Sequence, residues 1–167
     1  MTMSVWNKRL ALVAAALIMT ASCAMAQGAV IDNGGDASSL LNVRVTPDKG
    51  AQMLGKFFSG TKVEIVADAG GGWSQIAIGS GSGVISGYAM TQYLADGARV
   101  NATREAVVAS PYGTQSVVLR DRADHSYHPV AMLMVGDRVL VIGEMGEFRY
   151  VQTQNGCVGC LLESELK

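Results

Sequence analysis

Cysteine, proline and aromatic residues are scarce in this chain, whose 167 residues include three Cys, three Pro and 6% aromatics. So few cysteines exclude the disulfide-dense scaffold that holds many small secreted domains together. Two histidines leave little material for imidazole chemistry. Long apolar runs are almost absent too. One stands near the start, Leu10 to Met19. It is too short for a membrane span, which needs about 20 apolar residues, and no second run follows. Basic stretches with aromatics between them are also missing. Nucleic acid is therefore not an expected partner, and no polybasic patch faces anionic lipid. Membrane contact is expected to be peripheral or nil.

The early apolar run has the layout of an export leader. Lys8 and Arg9 precede it, and Ala24-Met25-Ala26 supplies the small-x-small pattern for cleavage after Ala26. The expected location is the periplasm or the medium. Cys23 offers a rival reading, a lipidated N-terminus, but Thr20 stands where such a box carries Leu. Without residues 1–26 the chain keeps eleven basic and fourteen acidic residues, a net charge of −3. That is mild and mixed in sign.

What the chain does have is one pattern stated twice. Leu41-Asn42-Val43-Arg44 leads to Gly60-Thr61-Lys62-Val63, then Trp73-Ser74-Gln75-Ile76, then Gly87-Tyr88 and Tyr93-Leu94. Val118-Leu119-Arg120 leads to Gly136-Asp137-Arg138-Val139, then Phe148-Arg149-Tyr150-Val151, then Gly159-Cys160 and Glu165-Leu166. The Arg-to-Gly step is sixteen residues in both, and the closing Gly-to-Leu step is seven in both. A repeated interval of this kind points to duplicated modules.

The texture within each copy is that of short strands. Val63 to Val66 ends at a run of three glycines, Ser74 to Ile78 alternates at period two, and Gly79 to Gly83 reads as a flexible hairpin tip. Asn155-Gly156 between two apolar runs predicts a hairpin with a type I′ turn, which needs positive φ at both central residues. The expected division is a leader at 1–26, a flexible lead-in at 27–37, a first module at 38–97, a connector at 98–106 and a second module at 107–167. The fold class is all-β, two tandem small barrels. A module of roughly 60 residues buries only about 60% of its unfolded surface, so the halves are expected to touch.

Leu-Asn-Val-Arg-x-x-Pro at Leu41 to Pro47, the Gly-Thr-x-Val strand start, the Gly-Gly-Trp before a strand and the final Gly-Tyr-x-x-x-x-Tyr-Leu resemble the bacterial SH3-like (SH3b) family. The likeness is close over Ser38 to Asp96. It is looser over Val107 to Leu166, where Phe148 replaces the Trp, Cys160 the first Tyr and Glu165 the second. The resemblance implies a small β-barrel of extracytoplasmic proteins, binding cell-wall peptidoglycan or a peptide. An envelope assembly role through protein packing is the alternative, motivated by the Met-bearing run Ala131 to Val135.

In such a barrel Trp73, Tyr88 and Tyr93 are the candidate ligand contacts, since rigid rings give contact area at little entropic cost. They equally suit the core. Arg44 and Arg120 could grip a carboxylate through the planar guanidinium fork, but recurrence in two diverged copies favours a fixed structural contact. Cys157 and Cys160 form a CxxC in a predicted strand, away from any helix N-terminus that would make a thiol reactive. In an oxidising compartment a local disulfide is expected, provided the chain kinks at Gly159, because residues three apart on a strand face opposite ways. The weaker alternative joins them to His125 and His128 as a zinc set. No other metal or cofactor is expected. The glycines at 79–83 lack the Lys-Ser/Thr of a phosphate loop, and Asp121, Asp124, Glu144 and Glu147 are scattered over turns. A non-enzymatic protein is the expectation.

Overall fold

The computed structural model describes residues 27–34, 39–96 and 104–167. The leader and its cleavage point lie outside the described residues. The first half runs β1 (Gln27–Ile31), β2 (Leu40–Arg44), β3 (Met53–Phe58), β4 (Lys62–Gly70), β5 (Trp73–Ser80), β6 (Gly83–Met90), a single 3-10 turn at Thr91–Tyr93, and β7 (Leu94–Asp96). The second half runs β8 (Glu105–Val107), β9 (Ser116–Arg120), β10 (Pro129–Met134), β11 (Arg138–Met145), β12 (Phe148–Gln152), β13 (Val158–Leu162) and a 3-10 turn at Glu163–Glu165. The architecture is all-β.

One pairing scheme occurs in both halves. β2 and β3 form a hairpin, β4, β5 and β6 a meander, and Arg44 of β2 pairs with Tyr88 of β6. Likewise β9 pairs with β10, β11 to β13 form a meander, and Arg120 of β9 pairs with Cys160 of β13. The turns follow from glycine. Gly70, Gly71 and Gly72 sit at φ of 75°, 61° and 80°, a region an L side chain adopts only under strain, and this lets β4 reverse into β5. Along β5 and β6 the buried residues alternate, Ser74, Ile76 and Ile78 against Ala89, Gly87 and Ile85, as a strand with one face on a core requires.

Three expectations are corrected. The first is the lead-in at 27–37. Its start is strand β1, paired with β4 on one side and β7 on the other, with Ala29, Val30 and Ile31 all buried. A short apolar triplet is enough when two strand edges wait for it. The second is the connector at 98–106. Its last residues open β8, which pairs with β11, and the Arg104 guanidinium lies 3.6 Å over the Phe58 ring. The third is the type I′ turn. The β12–β13 hairpin forms, but only Gly156 takes positive φ there. Gly156 N–H donates to Thr153 C=O and Thr153 N–H to Cys157 C=O, so a wider loop ending in one left-handed glycine replaces the two-residue turn.

The halves do touch. β3 pairs with β11 through Phe57↔Gly143 and Lys56↔Glu144. The Thr61 hydroxyl donates to Ile142 C=O at 3.1 Å within the core. A single apolar cluster contains Val43, Phe57 and Ile76 from the first half with Ile142, Tyr150 and Cys160 from the second. A further cluster, built on Val117, Leu119, Val151 and Leu161, fills the second half alone.

Candidate functional site

Both repeated arginines make contacts within the fold. Arg44 Nη1 donates to Ala51 C=O at 2.6 Å, holding the β2–β3 loop. Arg120 makes a two-pronged contact with Glu165, Nη1 to Oε2 at 2.6 Å and Nη2 to Oε1 at 3.0 Å. Glu165 Oε2 also accepts the Leu162 N–H at 2.8 Å. The hydrogen bond to Glu165 raises the Arg120 pKa further against the opposing effect of burial. The Tyr127 ring covers the guanidinium at 4.9 Å. Arg120 is buried in this contact, while Arg44 is half-buried at the end of β2.

Trp73 and Tyr88 share one face of the β5–β6 pair, since the direct partners are Trp73↔Met90 and Gln75↔Tyr88, and Tyr93 lies beyond that pair. Trp73 opens β5 opposite Met90 and is only 8% exposed, on the face of the β5–β6 pair away from Ile76 and Ile78. Tyr88 sits half-buried on β6 between Gln75 and Arg44. Tyr93 ends the 3-10 turn half-buried against the first-half core, and its C=O accepts the Asp32 N–H at 2.8 Å.

Cys157 and Cys160 are both free thiols and both buried, so the expected disulfide is corrected. No kink turns them toward each other. Gly159 stays in the β13 ladder opposite Val151, where an added Cβ would lie 2.6 Å from Leu119 and 2.7 Å from Arg120 C=O. The two side chains therefore leave the strand on opposite sides. Cys157 enters the second-half cluster, and Cys160 enters the cluster shared by both halves. Burial pushes the Cys160 thiol up to about 12. It also raises Tyr150, with the nearby Cys160 thiol adding to the effect. Cys157 lies 3.7 Å from the Ser82 hydroxyl at the wall of a groove of about 370 Å³.

The zinc alternative fails on geometry. His125 and His128 stay on the surface, their side chains 82% and 77% exposed, facing Glu147 at 3.2 Å and Asp121 at 3.3 Å. Among the described residues no cluster of three His, Cys, Asp or Glu could hold an ion.

Two checks follow from the thiols. In the folded protein Cys160 is expected to resist a thiol reagent while Cys157 reacts first, and denaturation is expected to release both with or without reductant. Stability is also expected to depend on alkali. The folded Cys160 pKa lies above its ordinary value of 9.0, so the unfolded chain loses that proton first. Stability is then retained below about pH 9 and falls as pH rises from about 9 toward 12. Denaturant midpoints measured across that window check the sign.

A cleft of about 420 Å³ joins the halves. One wall is apolar: Val45 and Leu54 from the β2–β3 hairpin, Val84 at the β5–β6 tip, and Met145 and Tyr150 from the second half. The other is the loop carrying Asp121, Arg122 and Asp124. Tyr150 sets the floor, its hydroxyl donating to Leu54 C=O and its ring 4.7 Å from that of Phe57. Asp121 is held down at about 2, chiefly by the Arg122 guanidinium at 2.8 Å, and so stays ionised. The cleft thus offers an apolar floor beside fixed charges of both signs, which suits an extended ligand with polar ends. No motif in the sequence marks Tyr150 as part of a site, and Trp73, Tyr88 and Tyr93 do not line this cleft.

Residues 38–95 match the bacterial SH3 domain family. That segment is a little over a third of the chain and carries the Arg44, Trp73, Tyr88 and Tyr93 positions. No curated protein matches the chain. Among solved structures, NlpC1 from Trichomonas vaginalis is similar at 12% identity and a TM-score of 0.37, over 89% of this chain and 48% of that one. NlpC2 from the same organism is similar at 12% identity and a TM-score of 0.35, over 85% and 48%. The chain spans about half the length of these two proteins, and likeness at this level transfers no site and no activity to it.

Proposed function

We propose that this is an exported, non-enzymatic protein of two tandem SH3-like modules, the second diverged, that binds cell-wall peptidoglycan or an extracytoplasmic peptide. The observation that carries the reading is the bacterial SH3 match over residues 38–95. The repeated intervals and the pairing scheme common to both halves support a second module. The leader pattern before Gln27 supports export. Against catalysis, the buried Cys160 thiol is a poor nucleophile, and the exposed imidazoles face carboxylates instead of a thiol. The ligand is placed in the cleft between the modules, over Tyr150.

Retention on purified peptidoglycan sacculi tests this. Val84 is 48% exposed at the lip of the cleft, so Val84→Asp is expected to fold normally. It is expected to weaken retention by about tenfold or more, the scale of placing an unpaired carboxylate against an apolar contact. Full retention by that variant would remove the ligand from the cleft, and no retention by the parent protein would remove the wall-binding reading. The second reading, an envelope assembly protein, draws on Met132, Met134 and Val135, which are 68%, 53% and 46% exposed at and beside the end strand β10. A sedimentation series showing a monomer at high concentration would count against it.

A further inference from the structure

Resting on the proposed removal of the leader after Ala26, we infer that Gln27 becomes a pyroglutamyl residue, so that the mature chain begins with a closed lactam and carries no free α-amine. Two observations meet at this residue. The sequence puts the small-x-small pattern immediately before it. The residue itself is held in β1, with register Gln27↔Ile65 and Gly28↔Glu64, and Ala29, Val30 and Ile31 behind it are buried. Cleavage after Ala26 therefore leaves no slack residues ahead of the strand. It leaves one exposed glutamine at the tip of an anchored β-strand.

The chemistry is internal to that residue. The new α-amine nitrogen attacks Cδ of the side-chain amide, forming an N–Cδ bond. The Cδ–Nε2 bond breaks, and Nε2 departs as ammonia with a proton given up by the amine. No oxidant, reductant or second molecule is consumed. Space and freedom are both present, because Gln27 and Gly28 are exposed and an added Cβ at Gly28 would meet nothing within 4 Å. The side-chain amide donates to Asp96 Oδ1 at 2.8 Å on the surface. Such an exposed contact is weak and does not prevent the amide from turning back on the amine. The product loses a positive charge, keeps its ring N–H as a donor at the end of β1, and presents aminopeptidases with no amine.

The test uses the full chain, expressed with its own leader and recovered from outside the cytoplasm. Intact mass is read together with the mass of the first tryptic peptide, which ends at Arg44. A labelled synthetic peptide beginning with free Gln is carried through the same handling to report cyclisation in the tube. The expected result is a chain starting at residue 27, lighter by one ammonia, whose lysine-free first tryptic peptide is unreactive to amine reagents, while the synthetic peptide keeps its mass. Gln27→Ser is expected to be exported with full mass and a reactive amine. A mature chain with free Gln27 would overturn this inference and leave leader removal standing. An intact leader, or a start at a lipidated Cys23, would overturn both.

Discussion

Replacing Glu165 with alanine is expected to cost about 3–5 kcal/mol, the range for removing one partner of a buried ion pair. The reason lies in what is left behind. Arg120 and Glu165 have side chains only 11% and 7% exposed, and the substitution strands a permanently charged guanidinium with no counter-charge. The same carboxylate accepts the Leu162 N–H, so the entry to the last 3-10 turn loses its acceptor too. At about 2–4 °C per kcal/mol, the thermal midpoint is expected to fall by roughly 10 °C. Glu165→Gln keeps an acceptor and is expected to fall between parent and alanine variant. Removing both charges, as Arg120→Met with Glu165→Leu, is expected to recover much of the loss, because an apolar pair of similar volume needs no desolvation. Chemical denaturation of the four proteins reads the set. A loss below about 1 kcal/mol for Glu165→Ala would put the pair in the class of surface ion pairs and remove it as the clasp of the second half.

That clasp shows which parts of this fold are written in the sequence. The repeat placed Arg120 opposite Arg44, and the reasoning that recurrence marks a structural arginine names the right role for both. Strand texture, the glycine turns and the contact between halves were legible for the same reason: they depend on near neighbours and on period. What failed depended on distant partners. Ala29-Val30-Ile31 looks like part of a polar lead-in until β4 and β7 supply edges for it. Cys157 and Cys160 look like a disulfide until their strand proves straight through Gly159. Tyr150 carries no local mark as the floor of a cleft. Its one trace is Gly55, where an added Cβ would run into the Tyr150 ring, and only the folded chain brings the two together. In the sequence Glu165 shows merely as an absent aromatic, although at the position matching Tyr93 it brings the charge that Arg120 needs.

Phe57→Ala is expected to destabilise the protein by about 3–5 kcal/mol and to do so in both halves at once. Phe57 is fully buried on β3, stacked 4.7 Å from Tyr150 of β12 and paired with Gly143 of β11. The cavity left by the ring therefore opens where the two halves meet, inside the cluster that also holds Cys160. Gly143 shows how little slack the junction has, since an added Cβ would lie 2.5 Å from Lys56 C=O. Each half has its own reporter. Trp73 is the one tryptophan beyond the leader and reports the first half by fluorescence, while reaction of the Cys160 thiol reports the second. If the halves fold as one unit, both signals shift to lower denaturant together, and their midpoints coincide in the parent and in the variant. Two modules joined only by a linker would respond differently: tryptophan emission would shift while Cys160 kept its protection. That outcome would separate the halves and, with them, the cleft to which the ligand is assigned.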